Sequence, residues 1–419
     1  MSELARNVKK YRRSTGLSQE DLAEAADLSV STVQKIEQGG TARTETLRAI
    51  ARGLGVPTSQ LFVAGSPAPV IGDEETRRNL VPIRMALMPP VGLDGMFTDG
   101  TVAAAEHGRA PDLRRKVLDT HTLYRADQFD SVAKELPELL HETEAARLAA
   151  EGGEQRAATI TRSLALLVAG KYLTQVRQYD MAYHSLSEGI RLARDVEAKR
   201  VAVTGIVGLG WLLLRQGRFG ECYRLAVTTA ERMEPRMSDT DSARFGLWGE
   251  LWMRAAASAI RDNRSDDAQH ARKMVGRAVG GMEREDRAFP ATWGGFGPVK
   301  VAIKSIEDCL VAGSSPSDAR EVLRRSRQGV LEPKALARTG HPAEGADWSR
   351  HRLDLARAHT LLGSHQDAMD ELTGIRVSSA EWIKHQPAAR RVMQDILHSR
   401  KRVLTEEMRD MASYLKVVE

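Results

Sequence analysis

The stretch LSVSTVQKIEQGG, residues 28–40, carries polar side chains at helical spacing and ends on two glycines. On a helix, Val33 and Ile36 would lie on the inner face, about one turn apart. The outward positions are short or polar at first and cationic toward the end: Ser29, Ser31, Thr32, Gln34 and Lys35. Short side chains at the start of a helix allow the close approach that hydrogen bonding to base edges in a DNA major groove requires. The alternative interpretation is an ordinary solvent-exposed helix face.

The flanking sequence favours the first interpretation, because helical periodicity extends over roughly sixty residues. The predicted helices are a first one that ends at Gly16, a second over Gln19–Ala25 capped by Ser18, a third capped by Ser29 and ended by Gly39–Gly40, a fourth over Thr44–Leu54, and a final turn over Ser59–Phe62. The second and third are joined by a tight turn, as in a helix-turn-helix unit. Their packing is assigned to Leu22, Ala23, Leu28, Val33 and Ile36.

Four further residues are predicted to contact DNA phosphates. Gln19 begins the second helix, where the positive end of the helix dipole assists donation to a phosphate. Arg12, Arg13 and Arg43 are predicted to flank it with cationic contacts.

The segment LSQEDLAEAADLSVSTVQKIEQGG, residues 17–40, resembles the DNA-binding domain of the Cro/phage-repressor (XRE) family. The matching features are Gln19, the Leu22-Ala23 pair, the turn before Ser29 and the closing Ile36-Glu37-x-Gly39. The resemblance implies that Gln19 touches phosphate and that four positions face bases: Ser29, Val30, Ser31 and Lys35. Val30 departs from the polar residue frequent in the phage proteins, although a valine can contact a thymine methyl group.

Composition limits the class of protein. With 419 residues the chain is too long for one compact core, so two or more domains are expected. The net charge of +5 permits an anionic partner without requiring one. Two cysteines without a CxxC pair argue against a disulfide framework or a zinc site and suit a reducing cytoplasm. The sequence shows neither a signal peptide nor an apolar run long enough for a membrane span.

Three domains are predicted: a DNA-binding domain over residues 1–65, a linker and irregular connector over 66–110, and a helical repeat domain over 111–419. Beyond Pro111 a unit recurs six times, in which a polar turn precedes a helix opened by a small residue. These small residues are Ala133, Ala182, Cys222, Ala268, Ala319 and Ala368. The spacing exceeds the roughly 34 residues of a tetratricopeptide repeat, so longer helices are expected. The predicted fold is all-α, a five-helix head followed by a tetratricopeptide-like α-solenoid.

The whole architecture resembles actinobacterial XRE-type regulators with tetratricopeptide domains, and its order is similar to peptide-receptor regulators of the Rap/PlcR type. This resemblance implies a peptide or small-molecule effector, held by the solenoid, that changes the geometry of a DNA-binding dimer. The operator sequence and the sign of regulation stay open.

Residues that could suggest catalysis or cofactor binding have simpler explanations in this sequence. The glycines of GIVGLGW lie in a helical apolar run with no preceding strand, so helix packing explains them better than a dinucleotide loop. The histidines form no HExxH metal motif, and there is no GxSxG nucleophile elbow. We therefore expect no enzyme activity, no cofactor and no bound metal.

One segment, RAFPATWGGFGPVKVAIKS, interrupts the helical pattern with aromatic residues among glycines and prolines. One interpretation is a loop whose aromatics plug the solenoid. The other is an effector pocket formed by Trp293 and Phe296, with Lys300 and Lys304 one turn apart beyond them.

The sequence thus predicts a cytoplasmic transcription regulator that binds a pseudo-palindromic operator in double-stranded DNA as a homodimer and responds to an effector. The alternative from another class is a protein-interaction scaffold, in which the repeat domain captures a partner and the head only tethers it to DNA.

Overall fold

The computed structural model describes residues 3–15, 17–56, 58, 61, 80–90, 92–93, 110–236, 241–280, 295–312, 315–339, 341, 343–399 and 405–417. Every secondary-structure element in these ranges is a helix. None of the described helices is both long and apolar enough to cross a membrane.

The N-terminal head contains four helices, which are α1 (Glu3–Ser14), α2 (Gln19–Ala25), α3 (Val30–Glu37) and α4 (Thr44–Gly53). These follow the predicted bounds to within a residue or two. Thr58 and Leu61 lie in 3₁₀ turns where a fifth helical turn was predicted, and residues 59, 60 and 62 lie outside the described ranges. A separate core, built on Leu22, Val33 and Ile36, holds the four helices together.

The remaining helices form a larger body. They are α5 (Val81–Leu87), α6 (Ala110–Arg125), α7 (Phe129–Ala149), α8 (Gly153–Gln175), α9 (Tyr179–Asp195), α10 (Lys199–Arg215), α11 (Phe219–Met233), α12 (Ser242–Arg261), α13 (Ser265–Gly280), α14 (Pro298–Ala312), α15 (Pro316–Arg325), α16 (Pro333–Thr339), α17 (Gly345–Leu361), α18 (His365–Ser378), α19 (Ala380–Lys384), α20 (Pro387–Ser399) and α21 (Glu406–Tyr414). Helix α5 belongs to the predicted connector 66–110, but it packs against α7 and α9 of the body.

Five helix pairs of the body are joined by the same turn. In each turn one residue takes the left-handed conformation, with φ between 57° and 75°. These residues are Asp127, Arg177, Gly217, Asn263 and Gly363. The amide of the next residue then donates to the carbonyl five positions back, at 2.8–3.0 Å, which is the hydrogen bond of a Schellman helix ending. The predicted sixth pair, α14 and α15, departs from this pattern, because α15 begins with a capping box at Ser315.

The first helices of successive pairs form an inner layer that closes on itself. Helices α6, α8, α10, α12, α14 and α17 each pack against the next in this order. A Cβ built on Gly345, at the start of α17, would lie 3.7 Å from the carbonyl oxygen of Arg125, at the end of α6. The outer layer closes beside it, because the amide of Asp130 donates to Glu381 at 2.9 Å and the rings of Phe129 and His385 lie 5.9 Å apart.

Phe296 is a core residue of the inner layer. It is 2% exposed, and its ring covers Gly249 of α12 so closely that a Cβ there would overlap the ring. Small residues also allow α10 and α11 to pack closely. Cys222 of α11 is fully buried, and its Sγ atom lies 3.3 Å from the carbonyl oxygen of Gly210 in α10. Burial raises the pKa of the Cys222 thiol to about 12, as expected for a packing residue.

We expect Gly249→Ala to lower the free energy of unfolding by about 1–3 kcal/mol, because the added methyl group must displace the Phe296 ring. Gly276→Ala in α13 is the matched control. A Cβ there meets nothing within 4 Å, so the helix-favouring alanine should be neutral or stabilising by up to about 1 kcal/mol. Chemical denaturation followed by far-UV circular dichroism measures both variants. Equal effects would refute the packing of Phe296 on Gly249.

Candidate nucleic-acid interface

The turn between α2 and α3 is fixed by local hydrogen bonds. Ser18 and Asp21 form a reciprocal capping box that starts α2. Asp27 takes the left-handed conformation with φ of 54°, which short polar side chains tolerate better than most. The amide of Leu28 then donates to the carbonyl of Ala23 at 2.8 Å, so α3 leaves the turn in a defined direction.

Ser29 begins α3 as its N-cap. Its hydroxyl accepts a hydrogen bond from the amide of Thr32 at 3.2 Å and contacts the hydroxyls of Ser31 and Thr32 at 2.9 and 2.8 Å. Ser29 and Ser31 are nevertheless exposed, and Thr32 is half-buried. The start of α3 therefore presents a compact hydroxyl surface, although the predicted base contact by Ser29 has to share its oxygen with the cap.

The carboxylate of Glu37 ties three helices together. Arg12 of α1 donates to both of its oxygens, Nε at 2.6 Å and Nη2 at 3.0 Å. Gln19 of α2 donates its Nε2 to the same carboxylate at 2.7 Å. The third nitrogen of Arg12 donates to the carbonyl of Leu17 at 2.8 Å. The sequence marks Glu37 only as part of the Ile36-Glu37-x-Gly39 motif, and its bonds to Arg12 and Gln19 were not predicted. The sequence signal for this contact is an acidic residue in the last turn of α3 together with a basic residue, Arg12, near the end of α1.

This network gives Arg12 partners within the head. Its side chain is 11% exposed, and its three guanidinium nitrogens donate to Glu37 and to the carbonyl of Leu17, so Arg12 helps to position α3; its predicted phosphate contact stays a prediction. Burial alone would raise the pKa of the Glu37 carboxyl, but hydrogen bonds from Arg12 and Gln19 outweigh it and bring that pKa below its ordinary value. Glu37 therefore stays ionised at neutral pH.

The outward face of α3 is open. Gln34 and Lys35 are exposed, and no other described side chain binds them. Val30 is half-buried and packs against the head core. After the helix, the amide of Gly40 donates to the carbonyl of Lys35 at 2.8 Å, an approach so close that a Cβ at Gly40 would crowd the Lys35 side chain. Arg13 is likewise exposed, on α1.

The body contacts the head beside this face. Arg43 is the N-cap residue of α4, and its Nη1 atom lies 3.3 Å from Oδ1 of Asp395 in α20. Both side chains are about half exposed. One turn earlier on α20, Arg391 pairs with Glu45 at 2.8 Å. Arg43 was predicted to bind phosphate, so its carboxylate partner in the body was unexpected.

Arg48 anchors the other side of α4. Its Nη2 donates to the carbonyl of Val311 in the last turn of α14. Asn263, a left-handed turn residue of the body, donates to the carbonyl of Arg48 and to Thr58 Oγ1, both at 3.3 Å. Burial, with the nearby charge of Arg261, lowers the pKa of Arg48 to about 10, so the guanidinium remains charged at neutral pH.

Three of the four predicted effector residues lie in the described part of the chain, and each has a partner inside the body. Phe296 lies in the core. Lys300 is buried, and its Nζ atom lies 2.5 Å from a carboxylate oxygen of Glu250 and 3.4 Å from one of Asp347. Lys304 pairs with Glu307 at 2.8 Å. Trp293 lies outside the described residues. Phe296 and Lys300 therefore have structural partners that sequence spacing did not reveal. Among the described residues, no group of three or more His, Cys, Asp or Glu side chains is arranged to hold a metal ion.

A family described as helix-turn-helix matches residues 8–61. No curated protein and no solved structure matches the chain. The N-terminal part is therefore an XRE-type helix-turn-helix domain, which indicates a DNA-binding transcription regulator. The match ends before the body begins.

We expect Glu37→Gln to lower the free energy of local opening of the head by about 1–3 kcal/mol, because Arg12 loses its charged partner. Hydrogen–deuterium exchange of α2 and α3 in the full-length chain measures this opening. Glu24→Gln, at an exposed acid of α2, is the matched control and should leave exchange unchanged.

The difference in local opening between wild type and Glu37→Gln should also depend on pH. The pKa of Glu37 is lower in the folded protein than in the unfolded chain, so its stabilisation is present at neutral pH and lost as the pH falls below the ordinary value of 4.5. The difference between wild type and Glu37→Gln should therefore shrink on acidification. Equal exchange of the two proteins at neutral pH would contradict the proposed role of Glu37.

Proposed function

We propose that the chain is a sequence-specific DNA-binding transcription regulator whose head inserts α3 into a major groove. The observation that carries this proposal is the exposed polar face of α3, held at a fixed angle to α1 and α2 by Glu37. A recognition helix needs such a rigid support, because base contacts require side chains to be positioned within fractions of an ångström.

The residues divide into two roles in this proposal. Gln34 and Lys35, with Ser31 at the helix start, contact base edges, and Val30 offers an apolar surface to a thymine methyl group. Arg13 contacts the phosphate backbone, as does the second amide N–H of Gln19, whose other N–H donates to Glu37; these contacts set the register. Arg12 acts indirectly, through Glu37, by fixing the position of α3.

The body is proposed to be a tetratricopeptide-like solenoid that dimerises and binds an effector. The recurring Schellman turns and the inner layer of first helices support the repeat assignment. Dimerisation is supported by a physical argument, since one head contacts few base pairs, and two heads on a pseudo-palindrome gain affinity through their effective concentration.

We further propose that the body restrains the head through Arg43 and Asp395. Arg43 follows the loop after α3, and such a cation at a helix N-terminus suits a DNA phosphate. Asp395 offers the same guanidinium a carboxylate, and it also adds negative charge next to the incoming DNA backbone. DNA and the body would therefore compete for the same side of the head.

Lys35→Ala should weaken binding to the preferred DNA sequence by about 5- to 150-fold, the equivalent of about 1–3 kcal/mol for a good base contact, and weaken binding to an unrelated duplex much less. Gln19→Ala should weaken binding to both duplexes, because it removes a phosphate contact and one of the two donors that hold Glu37. Gel shifts at fixed salt measure both changes. Lys334→Ala removes the same charge from an exposed site on the body and should have little effect. If Lys35→Ala and Gln19→Ala bound like wild type, the assignment of roles would fail.

Asp395→Asn should raise the affinity for DNA severalfold, because Arg43 is released and a repulsive charge is removed. The control is Asp370→Asn, which makes the same charge change on α18, where the carboxylate contacts Gln366 of its own helix. Fluorescence anisotropy with labelled duplex gives both affinities. Identical affinities of the two variants would show that the contact does not restrain the head.

A further inference from the structure

The first and last inner helices of the described body meet at their ends. Each inner helix packs along the next, from α6 through α8, α10, α12 and α14 to α17. In the described part of the chain, α6 and α7 do not pack along α17 or α19. The contact that closes the body is therefore additional to the stacking of neighbouring pairs, which is what stabilises a repeat domain. It can break while the stacked helices keep their packing.

Two contacts join the start of α7 to α19. The amide of Asp130, the second residue of α7, donates to Oε2 of Glu381 at 2.9 Å, although the two residues are 251 positions apart. The rings of Phe129 and His385 lie 5.9 Å apart. Both contacts involve residues at helix ends, so the two helices are joined at one point and not along their length.

A third contact holds an unfavourable charge. Ser379, which precedes α19, forms a side-chain hydrogen bond with Asp127 in the turn before α7. Asp127 is buried, and no hydrogen-bond donor among the described residues reaches its Oδ1 atom. Burial raises the pKa of Asp127 to about 6 against the effect of Ser379, and the charges of Glu381 and Asp347 add to the rise. At neutral pH a buried carboxylate therefore faces two like charges across the contact, which favours opening.

The closing contact thus consists of three pairs, Asp130–Glu381, Phe129–His385 and Asp127–Ser379. Its α19 side is also bound to α17. Ser349 of α17 and Ser379 are both buried, with their hydroxyl oxygens 2.8 Å apart. Arg350 of α17 donates to Gln386 Oε1 at 3.3 Å and lies over the Trp382 ring, 5.6 Å from its centre. When the closing contact breaks, α19 should therefore stay with α17 and separate from α7.

Helix α19 leads directly to the helix that contacts the head. Two residues separate it from α20, and α20 packs against α17 and α18. On α20, Arg391 pairs with Glu45 at 2.8 Å and Asp395 pairs with Arg43 at 3.3 Å. A displacement of α19 therefore acts, across two residues, on the helix that holds α4 of the head.

We propose that the closing contact is a conformational switch, in which the body opens between α7 and α19 and α20 then loosens its hold on the head. An effector that binds the open form more tightly would shift the body toward it, by as much as its affinities for the two forms differ. The opening itself does not depend on the proposed DNA binding, and only its effect on the affinity for DNA rests on that function.

Hydrogen–deuterium exchange of the full-length protein, without DNA, tests the switch. Glu381→Ala removes the acceptor of the Asp130 amide. Exchange should become about threefold faster, or more, in the peptides of α19, α20 and α4 as well as at the start of α7. Glu135→Ala is the matched control, because it removes an exposed acid of α7 outside the closing contact and should exchange like wild type.

The position of the faster exchange decides between a switch and a local helix cap. Acceleration confined to the start of α7 would show that Glu381 only caps that helix, and it would overturn the switch, as would unchanged exchange throughout. Acceleration in α19 without α20 and α4 would overturn the coupling to the head.

Asp127→Asn is a second variant with the opposite expected effect. Asparagine is compatible with this turn, since Asn263 occupies the same position of another turn with φ of 57°. At pH 7 the substitution removes the buried charge, so exchange of α19 should become about threefold slower. Unchanged or faster exchange of α19 would contradict the role of the Asp127 charge. If Glu381→Ala does not fold, this variant decides the test. Because no DNA is present, failure of these tests is distinct from failure of the head to bind DNA.

Discussion

The contact between Glu37 and its two donors is the constraint on which the proposed interface depends. Helices of seven to twelve residues have little stability of their own, so tertiary contacts must fix the angle of α3. Apolar packing of Leu22, Val33 and Ile36 brings the helices together, but a small apolar core tolerates some sliding. The charged, bidentate bond from Arg12 has a narrow geometry, and it specifies where α3 projects its polar side chains.

The body in turn positions the head, through contacts with α4 and its N-cap residue. Its inner helices form one layer, and the head is held to the body at two places: Arg43 and Glu45 contact α20, and Arg48 contacts α14 of the inner layer. Arg48 reaches the end of α14, the helix that also carries Glu307, which in turn pairs with Arg261. The groups that hold the head and the charged interior therefore share one helix. A ligand that displaced α14 or α17 would act on elements that already contact the head or adjoin that contact.

Local features were predictable from sequence, whereas distant partners were not. Ser18 and Ser29 mark their helix starts by short-range capping, and Gly39–Gly40 marks an end, so the bounds of α2 and α3 follow from neighbouring residues. Helical periodicity also predicts the paired helices of the body. It does not say which residues meet across the chain. Arg43 and Asp395 are 352 positions apart, and nothing local identifies the pair. Phe296 illustrates a second limit, because an aromatic among glycines suits both a binding pocket and a tight packing site such as Gly249.

The central claim is that the exposed face of α3 selects DNA sequence. In vitro selection from a pool of randomised duplexes, using the purified full-length chain, tests it most directly. We expect enrichment of one motif with inverted half-sites about 10 base pairs apart, centre to centre, or a multiple of that spacing. We also expect that the motif is lost when Ser31, Gln34 and Lys35 are all replaced by alanine. A pool that stays random, or the same motif recovered by the triple variant, would contradict the account.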